Sequence, residues 1–167
     1  GGRANMGMRA LMDVARAEAA PCAYTCGFIL GPRVNAGGRV GKADFGARLL
    51  STAEEEEAIS LARALDGYNT ERKAIESMVL EAAMAQAEAQ MLSAQPVILV
   101  AGQGWHPGVI GIVAGRIKER FGLPSAVIAL QDGVGKASAR SVPGFDFGAS
   151  VIAAAEAGLL VQGGGHA

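Results

Sequence analysis

Several things are scarce in this chain of 167 residues, and each scarcity narrows what it can be. There are two cysteines and two histidines. Cys22 and Cys26 form a C-x3-C pair with no second pair and no histidine nearby, so a structural zinc site is not expected, and two free thiols fit a cytoplasmic protein. The net charge is -1, so no overall basic field announces nucleic acid. Such a partner would have to be held by local clusters, and Lys and Arg are interspersed with glycine at 31–48 and again at 115–140. No apolar run approaches the ~18–20 residues needed to span a bilayer, and nothing at the start resembles a signal peptide. No membrane partner is expected. An initiator methionine is missing too: "GGRANMGMRALMDVARAE" reads as the tail of a helical unit, and the chain as a piece excised from something longer.

Glycine, by contrast, is abundant. Twenty-four of the 167 residues are glycine, roughly twice the usual share of ~7%. Glycine is costly in ordered chain, so such an excess points to tight turns or to backbone that must approach something closely. A short helix is predicted over 6–19, stopped near Pro21, and a brief strand or apolar plug at Phe28 to Leu30. A Gly/Pro-broken loop should follow, then a second short helix over 43–50. From Ser51 to Leu92 there is no proline and one glycine, Gly67. Ser51 with Glu54 has the form of a capping box, and Glu54 to Glu57 set negative charge against the positive end of the helix dipole. Leu61, Leu65, Tyr68, Arg72, Ile75, Val79 and Ala82 form one narrow stripe. A helix of some 40 residues would be ~60 Å long, which suits a connector between two bodies; a hairpin folding back at Asp66-Gly67 is the alternative. After Pro96 strands (97–101, 125–130, 135–141) alternate with helices (107–121, and 146–160 capped by Asp146). The fold class is therefore α/β, a small sheet with flanking helices.

Four constellations pair glycine with charge. In "GPRVNAGGR", Arg33, Asn35 and Arg39 present donors from glycine-loosened backbone, and arginine's planar fork matches phosphate oxygens; a tight turn with surface arginines is the plainer alternative. In "GQGWHPGVIGIVAGR", Gly102, Gly104 and Gly108 surround Trp105 and His106 at a helix start, where anions settle, although a Trp-His pair also serves packing. No G-x-G-x-x-G sits properly between strand and helix, and no Walker lysine follows. In "GKASARSVPG", an extended 136–140 sends Lys136, Ser138 and Arg140 to one face and Ala137 and Ala139 to the other. The alanines are expected inside and the polar row outside, with Ser141 just beyond it; an ordinary edge strand is the alternative. In "VQGGGHA", Gly163, Gly164 and Gly165 can curl into an anion nest with His166 beside it as donor or proton shuttle; a frayed terminus is the alternative.

"GPRVNAGGRVGKADFGARLL", "LDGYNTERKAIE", "GWHPGVIGIVAGRIKERFGLPSAVIA", "SARSVPGFDFGASV" and "GGGHA", in that order over essentially the whole chain, resemble the RecJ single-stranded-DNA-specific exonucleases of the DHH/DHHA1 phosphoesterase superfamily. The resemblance implies an enzyme of DNA repair and recombination that removes nucleotides from a 5′ end of single-stranded DNA. It implies Mn2+ or Mg2+ in the intact enzyme, held by aspartates and histidines of a DHH domain. No D-H-H is present here, so no metal is expected to bind this chain, which alone should be inactive. Residues 1–50 resemble the end of the DHH domain, a helical remnant; 51–95 the connector helix; 96–167 a DHHA1-type domain cut after G-G-G-H-A. The resemblance gives Ser138, Arg140, Ser141 and Gly163–Gly165 the terminal phosphate and neighbouring backbone. His166 would lie beside the metal site, Arg33 and Arg39 with Asn35 would clamp phosphates, and His106 would share the cleft. Oligomeric state is left open. Two other functions stay open: a DHH/DHHA1 phosphodiesterase acting on oligonucleotides or cyclic dinucleotides, and a non-catalytic nucleic-acid-binding module.

Overall fold

The computed structural model describes residues 5–17, 21–93 and 95–165. Packing divides the chain into two units, 1–74 and 75–167, each with its own apolar core. The division falls inside one helix, α4 (Glu55–Met91), which runs unbroken through Gly67; the alternative of a hairpin there does not occur.

The first unit is helical. Asn5 caps α1 (Met6–Ala15) by accepting from the Met8 N–H at 2.9 Å. That helix ends where Arg16 turns left-handed, φ 52°, short of the predicted 19. Phe28 to Leu30 are not a strand. They belong to a π-helical turn, Thr25–Leu30, which leads straight into α2 (Gly31–Val40) and, after a short link, α3 (Phe45–Ser51). The predicted loop at 31–42 is thus mostly helix. Pro32 sits in its first turn, where a missing N–H does no harm. The glycines there are contact points: a Cβ on Gly37 would lie 2.6 Å from the Lys42 carbonyl oxygen and 3.1 Å from Leu65 Cδ2. Ala58, Leu61, Ala62 and Leu65, in steps of three and four, bury the start of α4 against Leu11, Leu30 and Leu49.

The expected capping box is displaced. Ser51 closes α3, donating its hydroxyl to the Arg48 carbonyl at 3.2 Å. Thr52 takes the capping role instead: its Oγ1 accepts from the Glu54 N–H (3.1 Å) and donates to Glu57 Oε2 (2.6 Å). Glu57 also takes Arg48 Nη2 at 2.6 Å. The Thr52 hydroxyl first and the Arg48 guanidinium second hold the Glu57 carboxyl below its ordinary value.

The second unit is α/β. Strands β1 (Ile98–Gln103) and β2 (Ser125–Gln131) are parallel, joined by the crossover helix α5 (Pro107–Phe121). β2 and β3 (Val134–Arg140) form an antiparallel hairpin, giving the order β1-β2-β3. Asp132 and Gly133 both have positive φ (51° and 78°), the two-residue turn whose twist matches paired strands. Helix α6 (Phe147–Glu156) follows, capped as predicted by Asp146, which accepts from the Ala149 N–H at 3.1 Å. Ile98, Val100, Val127 and Ala129 pack with Val109, Val113 and Ile117 of α5. Val79, Ala83 and Ala87 of α4 complete this core, so the predicted stripe continues through Ala83 rather than the exposed Ala82. Among the described residues no helix is long and apolar enough to cross a membrane.

Candidate functional site

The row on β3 forms as the alternation predicts, but its two sides are exchanged. In register, Arg140 lies beside Ser125, Ser138 beside Val127 and Lys136 beside Ala129, and directly paired residues share a face. That is the face α5 covers, since Ser125 donates its hydroxyl to the Ala114 carbonyl at 3.0 Å. A Cβ on Gly111 of α5 would come 3.0 Å from Arg140 Nη2 and 3.1 Å from Ser138 Oγ. Lys136, Ser138 and Arg140 therefore stand along α5, and Ala137 and Ala139 face the other way, Ala137 exposed. Among the described residues β3 is an edge strand, so polar side chains at the helix-covered face still reach water past its rim.

A cavity of about 800 Å3 opens along β3. Its walls are Gly135 and Ala137 to Ser141, the first turns of α6 at Phe147, Gly148 and Val151, and Leu160 with Gln162 to Gly165. Arg140 Nη1 donates to Ser138 Oγ (3.2 Å) and to the Ala139 carbonyl (2.8 Å), which fixes the guanidinium against its own strand. Nε and Nη2 make no further hydrogen bond among the described residues, leaving donors for an anion. Ser141 Oγ accepts from the Phe147 N–H at 3.1 Å, tying the end of β3 to the start of α6 while its own hydrogen can still be donated. The Asp146 cap puts a carboxylate at the N-terminus of α6, which offsets the helix dipole there. The attraction for an anion therefore rests on Arg140 and the serine hydroxyls.

Gly163, Gly164 and Gly165 reach this cavity, but not as a nest. That motif needs a left-handed residue, and none of the three has positive φ. They allow close packing instead: a Cβ on Gly165 would meet Gly148 Cα at 3.2 Å. What they offer the cavity is backbone bare of side chains. His166 lies outside the described residues.

His106 does not line this cavity. It is the N-cap of α5, its Nδ1 accepting from the Gly108 N–H at 3.0 Å, which leaves Nε2 to carry the ring proton. It sits at the head of the β3 row, where Pro107 and Lys136 border a smaller cavity of about 310 Å3. The Trp105 ring lies on Gly102 so closely that a Cβ there has no room. At Gly102 the glycine-rich turn therefore accommodates its own tryptophan, while a Cβ on Gly104 would meet nothing within 4 Å.

In the first unit the arginine motif is helical and partly spent. Arg33 Nε pairs with Asp66 Oδ1 at 2.8 Å and Nη1 donates to the Ile29 carbonyl at 2.7 Å. Asn35 and Arg39, one turn apart on the same face of α2, are exposed. Asp66, Phe147 and Gly148 were missed as partners of these sites. All three stand inside the quoted motifs, but no spacing rule connects them to Arg33 or Arg140.

The DHHA1 domain family matches residues 94–167. The single-stranded-DNA-specific exonuclease RecJ of Bacillus subtilis is 40% identical over 144 residues, 85% of this chain and 18% of that protein. The Escherichia coli protein of the same name is 36% identical over 99% of this chain and 30% of its own length. Among solved structures, RecJ from Thermus thermophilus in complex with Mn2+ superposes with a TM-score of 0.83 at 31% identity, over 98% of this chain and 23% of that one. An exonuclease RecJ bound to manganese gives 0.82 at 31%, over 97% of this chain and 39% of that one. The chain spans less than a third of the curated relatives it matches.

Proposed function

The chain carries a DHHA1 domain over residues 94–167 and is a RecJ homologue along nearly its whole length, and from that premise we propose that it is the substrate-holding part of a cytoplasmic exonuclease of DNA repair and recombination. Such an enzyme degrades single-stranded DNA from a 5′ end. Residues 1–50 then belong with its DHH domain, 51–95 form the connector and 96–167 the DHHA1 unit. The observation that supports this is the cavity where Arg140, Ser138 and Ser141 meet the backbone of Gly163–Gly165. One cation, two hydroxyls and unshielded peptide groups suit a terminal phosphate and the sugar next to it.

Among the described residues no three His, Cys, Asp or Glu side chains gather to hold a metal ion. The described residues do not fit the Mg2+ or Mn2+ named with the solved relatives. In the proposed enzyme that metal is held elsewhere, and this chain positions the strand. It should therefore bind single-stranded DNA weakly and in a salt-sensitive way, and hydrolyse none.

Fluorescence anisotropy with 5′-phosphorylated and 5′-hydroxyl oligonucleotides tests the proposal. The phosphorylated strand should bind several-fold to about tenfold tighter, since a charged hydrogen bond contributes up to ~1.5–3 kcal/mol before exposure weakens it. Arg140→Ala should abolish the preference. A preference that survives Arg140→Ala refutes the assignment.

A further inference from the structure

An edge strand turns alternate backbone N–H and C=O groups outward, ready to pair with another strand. On β1 the outward groups of Leu99 and Ala101 are all occupied by side chains of α4. Gln90 Nε2 donates to the Leu99 carbonyl at 2.5 Å, and its Oε1 accepts from the Leu99 N–H at 3.0 Å. Gln86 repeats the pair of bonds on Ala101 at 2.9 and 3.1 Å. A primary amide holds its C=O and N–H in one plane, as a peptide group does. Each glutamine therefore reproduces the two-bond contact that one residue of a neighbouring strand would make.

The spacing explains why two can act in register. Four residues of helix rise ~6.0 Å, and two residues of strand advance ~6.6 Å. Gln86 to Gln90 thus runs antiparallel to Leu99 and Ala101 with little mismatch. Ala83 and Ala87, small and fully buried on the neighbouring face of the helix, let α4 come near enough for glutamine to reach.

We propose that Gln86 and Gln90 act together as a surrogate edge strand, closing β1 to strand addition while the last turns of α4 remain formed. The partner so excluded is an extended backbone, first of all β1 of a second copy of this chain. Gln90 stands one residue before the end of α4, where helices fray first, so Leu99 should open before Ala101.

Amide hydrogen exchange and sedimentation on the whole chain test this. In Gln86→Ala/Gln90→Ala, the Leu99 and Ala101 amides should exchange about tenfold faster or more. Val100 and Val127, bonded within the sheet, should keep their rates, and a concentration-dependent dimer should appear. Unchanged rates at Leu99 and Ala101, an equal rise at Val100 and Val127, or a strictly monomeric variant would each overturn the proposal. Should the double variant not fold, Gln90→Met decides. Its thioether stem can neither accept from the Leu99 N–H nor donate to the Leu99 carbonyl, so Leu99 should lose protection while Ala101, still held by Gln86, keeps it. Unchanged protection at Leu99 refutes the idea.

Discussion

Replacing Arg33 with methionine separates a structural from a substrate-binding role for the first arginine of the G-P-R-V-N motif. Methionine keeps an unbranched stem in the half-buried site and deletes the guanidinium. Two bonds are lost, one to Asp66 at 2.8 Å and one to the Ile29 carbonyl at 2.7 Å. Fully buried, each charged bond contributes ~1.5–3 kcal/mol. The side chains retain 17% and 34% of their exposure, so water screens the pair, and the thioether recovers some apolar contact. A loss of ~1–2 kcal/mol is expected. In a unit of this size that is a fall of about 4–8 °C in Tm per kcal/mol. Urea unfolding followed by circular dichroism measures it. Asp66→Ala should cost as much or more, because it strands a half-buried charge. The double variant should fall short of additivity by ~1 kcal/mol. Oligonucleotide affinity should hardly move. An Arg33→Met protein of unchanged stability that binds single-stranded DNA worse would refute the reasoning and return Arg33 to the substrate.

Gly111→Ala gains ~1 kcal/mol of helix propensity but pushes a methyl to 3.0 Å from Arg140 Nη2; net stability should change little while the preference for a phosphorylated end falls several-fold in anisotropy. The Cys22 thiol, hydrogen-bonded to the Thr25 hydroxyl at 3.3 Å, is held below its ordinary value by that bond. Thr25→Val should therefore slow its alkylation by iodoacetamide at mildly alkaline pH, read by mass spectrometry. Glu57, held below its ordinary 4.5 first by Thr52 and then by Arg48, stabilises the fold above that value. This contribution is lost as pH falls through the lowered folded value. Thr52→Val should shrink the acid-side loss in urea midpoints between pH 6 and about 3.

The second unit is largely legible in the sequence. Pro107 to Phe121 is predicted as a helix with the bounds observed, and three strands lie within a few residues of their places, because runs such as V-I-L-V-A and S-A-V-I-A-L have one sensible fate next to helical periodicity. The first unit is not. Gly31 to Val40 has the composition of a loop, and its partners lie outside the segment: Leu65 and the Lys42 carbonyl fit against Gly37, and Asp66 holds Arg33. The β3 row illustrates a different limit. Alternation tells which side chains share a side, but the side covered by α5 depends on where the crossover helix settles. Likewise, nothing in A-Q-A-E-A-Q announces that two of its amides will pair with a strand.

Trp105 is the only indole in the chain and rests on Gly102 in the second unit, whereas Tyr24 and Tyr68 belong to the first. Emission excited at the red edge of ultraviolet absorption thus reports on the sheet-bearing unit alone, and far-ultraviolet ellipticity on both. A protein whose two melting curves separate would reveal, without any label, that one long helix can be unwound at one end while its other end stays fastened.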